Sequence, residues 1–279
     1  TEFGNRRALT KEEADAIEAR ERGRVAADAQ PSDPDKKIEA VASLPPVGNY
    51  NLFWTDRGMT AALIDGEYRT SIIIDPPNGR IPPLTEEARN RPRRSRGVAD
   101  GPESRSLGER CLLSFGSSAG PPMLPTMYNS YYQIVQSPGH VMILVEMVHD
   151  ARIIRINGKP VPSSIKKWMG DSVGHWEGDT LVVRTTNMRP EQALRGGTAE
   201  NMVVTERFTR VADDQINYRF TVDDPTAFTA SFTGELPFTR VDANVYEYAC
   251  HEGNYALPGI LAGARAAEEK AAREGKQPL

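Results

Sequence analysis

Residues 245–255, VYEYACHEGNY, place several groups capable of proton transfer close together in the chain. His251 lies beside Glu252 and four residues after Glu247, so a carboxylate could orient its imidazole. Histidine is the usual group for proton transfer near neutral pH. The pattern favours His251 as a general base, and its structural alternative is a cap at the end of a strand.

A second candidate group lies in residues 140–156, which we interpret as one long strand. Alternation along a strand places Glu146, Asp150 and Arg152 on one face and His149 on the other. Burial among apolar neighbours disfavours a charged Glu146 unless a cation such as Arg152 pairs with it, and both arrangements suit acid–base chemistry. The alternative is a structural Glu146–Arg152 pair. We predict Glu146, His149, Asp150, Arg152 and His251 as catalytic residues, with Glu146 or His251 as base and Arg152 orienting an anionic or carbonyl group.

The chain contains two cysteines, Cys111 and Cys250. A disulfide between them would tie an irregular, Pro-rich middle region to the end of the last strand, and it indicates an oxidising compartment. The alternative is two unpaired thiols, each buried as a small hydrophobic side chain.

Signals for metals and organic cofactors are weak. The four histidines form no close-spaced pair of the kind typical of zinc sites. The chain has no Gly-x-Ser-x-Gly motif, no phosphate-binding loop and no dinucleotide fingerprint. We therefore predict no metal and no cofactor.

Aromatic residues are concentrated in the second half of the chain and would line a pocket for a small, partly apolar organic molecule. The residues predicted to bind such a substrate are Tyr128, Tyr132, Trp168, Trp176, Tyr246 and Tyr248.

Local patterns predict the elements that position these groups. Thr10 and Glu13 form a capping box at the start of a helix, Thr85 begins a short helix, and an Ala-rich helix follows Pro258. From residue 128 onward short strands alternate with turns, including Asn157-Gly158 as a hairpin signal and Asp213-Asp214, and the last strand is NVYEYACHE.

These elements predict a mainly β fold, an antiparallel meander closing into a lipocalin-like β-barrel with helical N- and C-terminal extensions. The expected organisation is a helical extension over residues 1–43, a single barrel domain with long loops over 44–258, and a C-terminal helix over 259–279.

Composition argues against a nucleic-acid-binding protein and against a membrane-spanning one. The 279 residues carry a net charge of −4, with 39% hydrophobic and 26% charged residues, so no basic face for nucleic acid is expected. The longest apolar run, residues 141–148, contains Glu146 and is too short to span a membrane. We expect a periplasmic or extracellular protein whose signal peptide has been removed.

Several motifs resemble those of a large, uncharacterised family of secreted bacterial proteins abundant in soil groups, and they extend from about Thr10 to Ala264. The motifs are RTSIIIDPPNGRIPPLTEEA, GPPMLP, YYQIVQSPG, WMGDS, WEGDTLVV, ERFTRV and YEYACHEGNY. This resemblance implies secretion and a shared ligand or reaction, without assigning an activity. The pair WEGDTLVVRTT and TERFTRV is also similar, over a short length, to strands of lipocalin and fatty-acid-binding barrels.

The sequence thus predicts a secreted, cofactor-independent enzyme, a lyase, isomerase or hydrolase acting on a small organic substrate. One alternative is a lipocalin-type binding protein without turnover, and another is an interaction protein that forms homo-oligomers through its helical tails.

Overall fold

The computed structural model describes residues 3–4, 6–28, 58–91, 99–113, 120–126, 129–194 and 197–275. This part of the chain is mainly β. Its strands, in chain order, are β1 (Ala8–Leu9), β2 (Leu63–Ile64), β3 (Glu67–Arg69), β4 (Ile73–Asp75), β5 (Tyr132–Ser137), β6 (His140–Val145), β7 (Ala151–Ile156), β8 (Asp171–Glu177), β9 (Thr180–Thr186), β10 (Ala193–Leu194), β11 (Gly197–Thr198), β12 (Val203–Ala212), β13 (Gln215–Asp223) and β14 (Phe232–Thr239).

Nine strands form one sheet in the order β4-β14-β13-β12-β9-β8-β7-β6-β5. Alternate residues of these strands are buried, as Val141, Ile143 and Val145 show in β6. The buried faces share one hydrophobic core, to which β13 contributes Tyr218 and Phe220. The predicted Asp213-Asp214 turn connects β12 to β13. Two small sheets, β1-β3-β2 and β10-β11, lie outside the main one.

The predicted single strand over residues 140–156 is wrong. Strand β6 ends at Val145, residues Met147–His149 form a 3-10 turn, and β7 returns antiparallel to β6 with Arg152 opposite Ile143. Val148 at the turn has φ +60°, a left-handed conformation that reverses the chain. Glu146 therefore follows the end of β6 and Arg152 lies in β7, so the two residues do not share a strand face.

The prediction of a hairpin at Asn157-Gly158 is also wrong, because β7 and β8 are parallel, with Ile154 opposite Ser172. The connection crosses back over residues 157–170 before β8 begins. Asp171 holds this crossover: its carboxylate accepts hydrogen bonds from the Arg155 guanidinium at 2.7 Å, the Lys167 ammonium at 2.7 Å and the Val161 amide at 3.0 Å. The path of this connection thus depends on hydrogen bonds to Asp171 from residues outside the Asn157-Gly158 turn, and the turn residues alone do not specify it.

Curvature brings the two ends of the sheet together without closing it. The Tyr132 ring of β5 stacks on the Phe238 ring of β14, with centroids 5.3 Å apart. Counting strand directions across the sheet shows that β5 and β14 run the same way. No strand pairing joins β5 to β4 or β14 among the described residues, so a closed barrel is not found.

Three helices lie in the described part of the chain: α1 (Lys11–Asp28), α2 (Glu86–Asn90) and α3 (Ala256–Arg273). The predicted capping box of α1 is present, since the Glu13 amide donates to Thr10 Oγ1 at 3.2 Å and the Thr10 amide to Glu13 Oε2 at 2.9 Å. Thr85 caps α2 as predicted. Helix α3 starts at Ala256, before the predicted position, with Pro258 in its first turn. No described helix has the length and apolarity that crossing a bilayer requires.

The predicted last strand, NVYEYACHE, does not form. Residues 240–255 cross the surface as an irregular segment, which we call the C-terminal strap. Its connections to the rest of the fold include a hydrogen bond that the Glu146 carboxylate accepts from the Tyr246 amide at 3.0 Å and the disulfide between Cys250 and Cys111. These connections stand in place of a strand ladder.

Candidate functional site

One cavity lies at the β4 end of the sheet and has a volume of about 490 Å³. We call it the β4 pocket. Its walls come from β4, β10, β13 and β14, from the loop over residues 79–84, and from residues of other loops. The lining residues are Ser71, Ile72, Ile73, Gly79, Arg80, Ile81, Pro82, Leu84, Leu124, Leu194, Phe220, Phe228 and Phe232.

Aromatic packing shapes the inner wall of the β4 pocket. Phe228 meets Phe232 edge-on, with ring centroids 5.3 Å apart. Phe220 lies against Gly234 of the neighbouring strand, where a Cβ would be 2.2 Å from the ring. The absence of a side chain at Gly234 is therefore what allows the Phe220 ring to occupy this wall.

The outer wall is a loop that is bonded to the rest of the fold. The Thr85 amide donates to the Ala227 carbonyl at 3.0 Å, and the Thr229 amide donates to the Pro83 carbonyl at 2.9 Å. Leu84 is thereby held opposite Phe228. The pocket is consequently preformed, as small-molecule sites usually are.

Polar groups in the β4 pocket are few. The Ser71 hydroxyl donates to the Gly79 carbonyl at 2.8 Å and accepts from the Ile73 amide at 3.1 Å, so its proton and one of its two lone pairs are in use. Arg80 is the one charged residue in the lining. Its guanidinium forms no ion pair with any carboxylate of the described residues.

A second and larger cleft, of about 1150 Å³, lies where β5 approaches β14. Tyr132 and Phe238 line it, and its edge carries charges of both signs, Arg210, Asp213, Asp214 and Arg240. Leu124 lines both cavities. Of the six aromatic residues predicted to bind substrate, Tyr132 alone contributes to either cavity within the described chain.

A buried polar network lies behind Tyr132. The Arg152 guanidinium donates to both carboxylate oxygens of Glu206, at 3.0 and 2.5 Å, and the Tyr218 hydroxyl donates to Glu206 Oε1 at 2.7 Å. The Met123 amide donates to the same hydroxyl at 2.9 Å. Both members of the ion pair are almost fully buried, with side-chain exposures of 1% and 0%.

This environment changes the pKa values of the network. Burial tends to lower the pKa of Arg152, but the Glu206 carboxylate outweighs it and holds that pKa above its usual value. Burial, followed by the Glu206 charge, raises the pKa of Tyr218 well above 10. Burial also raises the pKa of Tyr132. Both tyrosines therefore stay protonated and Arg152 stays charged at physiological pH.

The residues predicted to be catalytic do not converge. Arg152 pairs with Glu206 instead of Glu146. Glu146, 3% exposed, accepts from the Tyr246 amide through Oε1, and its buried Oε2 has no hydrogen-bond partner among the described residues. Asp150 follows the 3-10 turn and is half-buried, and the side chain of His149 lies outside what the structure describes. His251 is exposed on the C-terminal strap.

The remaining aromatic residues predicted to bind substrate are scattered. The Arg189 guanidinium lies 4.3 Å from the Trp168 ring centroid, Trp176 and Tyr246 are exposed, and Tyr248 packs on the buried cluster of residues 145–148. Tyr128 lies outside the described residues.

The predicted disulfide is present, since Cys111 and Cys250 are bonded across a separation of 139 residues. It anchors the C-terminal strap to the loop over residues 105–113.

No group of three histidine, cysteine or acidic side chains placed to hold a metal ion occurs in the described ranges.

Comparison with known proteins gives no match to a protein-family model, to a curated protein or to a solved structure. The pocket-lining residues Phe220, Phe228, Phe232 and Arg80 were not predicted from the sequence. A usable signal was the phenylalanine series in FTASFTGELPF, in which the small Gly234 follows Phe232 by two residues on the same strand face.

Proposed function

We propose that the protein is a small-molecule-binding protein that takes a partly apolar organic molecule into the β4 pocket. The observation that carries the proposal is a preformed pocket of about 490 Å³, lined by three phenylalanines and aliphatic side chains, with one charged residue. This volume lies within the usual range for small-molecule sites.

The sheet supports a lipocalin-type mode of binding. Its curvature brings Tyr132 to Phe238, and the pocket lies on the inner face between strands near one end. In this proposal the curved sheet acts as an open lipocalin-like barrel with the ligand in its interior. The Cys111–Cys250 bond favours a periplasmic or extracellular location for this activity, in agreement with the resemblance to secreted bacterial proteins.

Ligand binding can be tested with N-phenyl-1-naphthylamine, an uncharged probe that fluoresces in apolar surroundings. We expect wild-type protein to bind it, and Leu84→Trp, which fills the pocket from its outer wall, to weaken binding at least tenfold. Leu63→Trp is the matched control, because Leu63 is exposed and lies outside the pocket lining.

Melting temperatures of the two variants show whether the fold is kept, and Ile81→Trp repeats the test from the same wall. An absence of binding to wild type, or equal binding by wild type and both pocket variants, would contradict the proposal.

The second candidate is the cofactor-independent acid–base enzyme. The observation that favours it is the buried Glu146, which has one carboxylate oxygen without a hydrogen-bond partner among the described residues. Glu146→Gln preserves the acceptor for the Tyr246 amide while removing the carboxylate. If turnover of any screened aromatic, terpenoid or sugar derivative is found, this variant should abolish it with little change in melting temperature, whereas unchanged turnover would exclude Glu146 as the base.

A further inference from the structure

We infer that the ligand of the β4 pocket is an organic anion, a hydrocarbon body bearing one carboxylate, and that Arg80 binds the carboxylate. This inference rests on the proposed function and adds the chemical class of the ligand. It follows from the charge of the lining, the setting of Arg80 and the contrast with the second cleft.

The lining has a single charge. Of its thirteen residues, Arg80 is charged and Ser71 is the other polar side chain, with its hydroxyl already bonded to the Gly79 carbonyl and the Ile73 amide. The remaining lining side chains are apolar and suit a hydrocarbon body. A ligand that fills the pocket meets one strong hydrogen-bonding group, the guanidinium of Arg80.

The backbone around Arg80 is fixed. The Arg80 amide donates to Asn78 Oδ1 at 3.0 Å, Gly79 has φ +69°, and the Gly79 carbonyl is held by Ser71. Gly79 is also close-packed, since a Cβ there would lie 3.1 Å from Ser71 Cβ. The turn therefore presents Arg80 at one defined position on the pocket edge.

Arg80 is available for an anion. Asp75 is the closest acidic residue along the chain, and neither it nor any other carboxylate within the described ranges lies within ion-pairing distance of the guanidinium. A guanidinium binds a carboxylate through two parallel hydrogen bonds, which gives orientation as well as affinity. In the larger cleft, by contrast, Arg210 and Arg240 stand beside Asp213 and Asp214, so its edge has no net preference for an anion.

The test compares decanoate, decan-1-ol and decylamine by isothermal titration calorimetry at pH 7. These probes share a hydrocarbon body and differ in head-group charge. We expect decanoate to bind at least ten times more tightly than decan-1-ol, and decylamine to bind more weakly than both. The preference for decanoate should decrease as salt is added, because Arg80 is exposed and its charge is screened.

Arg80→Gln should reduce the affinity for decanoate to that for decan-1-ol, with the alcohol unaffected. Arg184→Gln is the matched control, since Arg184 is exposed on β9 and lies outside both cavities. Two results would overturn the anion assignment: equal affinities of wild type for decanoate and decan-1-ol, or equal losses of affinity for both in Arg80→Gln. The proposal that the β4 pocket binds a small molecule would still stand. A failure of all three probes to bind would overturn the proposed function as well.

Discussion

At the scale of single residues, the most consequential group is the buried network of Arg152, Glu206 and Tyr218. Arg152 Nε has no hydrogen-bond partner among the described residues, so the network depends on the two bonds that Glu206 accepts from the guanidinium. A buried ion pair gives a small net gain over apolar residues, but the loss of one partner leaves an uncompensated charge.

Glu206→Ala should therefore lower the free energy of unfolding by about 3–5 kcal/mol, because Arg152 is left buried and unpaired. Arg152→Met with Glu206→Leu should recover most of that loss. Urea denaturation of the single and double variants measures both effects. A single variant as stable as wild type would show that water reaches Arg152.

Asp171 gives the clearest prediction of pH dependence. Burial tends to raise its pKa, but hydrogen bonds from Lys167, the Val161 amide and Arg155 outweigh it and hold that pKa below the usual 3.8. The folded state therefore favours the ionised carboxylate, whose contribution is complete above the unfolded pKa and is lost as pH falls through the folded one.

Asp171→Asn should cost about 1–3 kcal/mol of unfolding free energy at pH 7 through weakened charge-assisted hydrogen bonds. The difference from wild type should shrink as pH falls below about 4. Asp213→Asn, at an exposed turn, is the control and should have little effect. A difference between wild type and Asp171→Asn that stays constant down to pH 2 would contradict the proposed electrostatic origin.

Residue pairings were the part of the site that the sequence predicted least well. Glu146 and Arg152 are both buried, but strand alternation does not account for it, because β6 buries Val141, Ile143 and Val145 and ends before Glu146. The partner of Arg152 is Glu206, 54 residues away and on a strand that is not its neighbour in the sheet. No local spacing contains that information, because sheet curvature creates the contact.

At the scale of elements, the contact between β13 and β14 at Phe220 and Gly234 links packing to the pocket. Phe220 is 1% exposed and lines the β4 pocket, so a ring displaced from Gly234 would move toward the pocket. A methyl group at Gly234 would overlap the ring, and overpacking of this kind costs about 1–3 kcal/mol.

Gly234→Ala should accordingly destabilise the fold by that amount and weaken probe binding in the β4 pocket. Gly263→Ala is the control, because Gly263 lies inside α3 with no atom near its added Cβ, and it should stabilise the protein by about 0.5–1 kcal/mol. Thermal melts of both variants provide the measurement. An unchanged melting temperature for Gly234→Ala would show that the two strands can separate at this point.

Element boundaries with local chemical signals were predictable. Two helices begin at capping residues, α1 at Thr10 with Glu13 and α2 at Thr85, and the β12–β13 turn forms at Asp213-Asp214. In each case the signal lies within four residues of the boundary. Asn157-Gly158 failed because it forms a tight turn without specifying whether the next strand returns antiparallel. The Asp171 interactions decide that outcome, and they come from residues up to sixteen positions away.

At the scale of the whole molecule, the sequence predicted a mainly β protein with a helix near each end and a disulfide between Cys111 and Cys250. It did not predict the open sheet, since closure depends on strand offset and curvature rather than on strand count. Helical tails that mediate oligomers stay a prediction, as does the division into residues 1–43, 44–258 and 259–279.

Replacement of both cysteines by serine should lower the free energy of unfolding by about 4–5 kcal/mol in the chain-entropy model for a loop of this length. Dithiothreitol should lower the melting temperature of wild type and leave the double variant unchanged. Two titratable thiols in unfolded, unreduced wild-type protein would show that the bond does not form.

The disulfide has a further consequence for the covalent path of the chain. The segment that it encloses contains every strand from β5 to β14, and the two Cα atoms at its ends are 5.8 Å apart. Because the disulfide joins those ends, this stretch of chain is a covalent ring that contributes eight of the nine strands of the main sheet. A protease that cuts the ring once opens it without releasing a fragment, and the nicked protein keeps its full mass until a reductant separates the pieces.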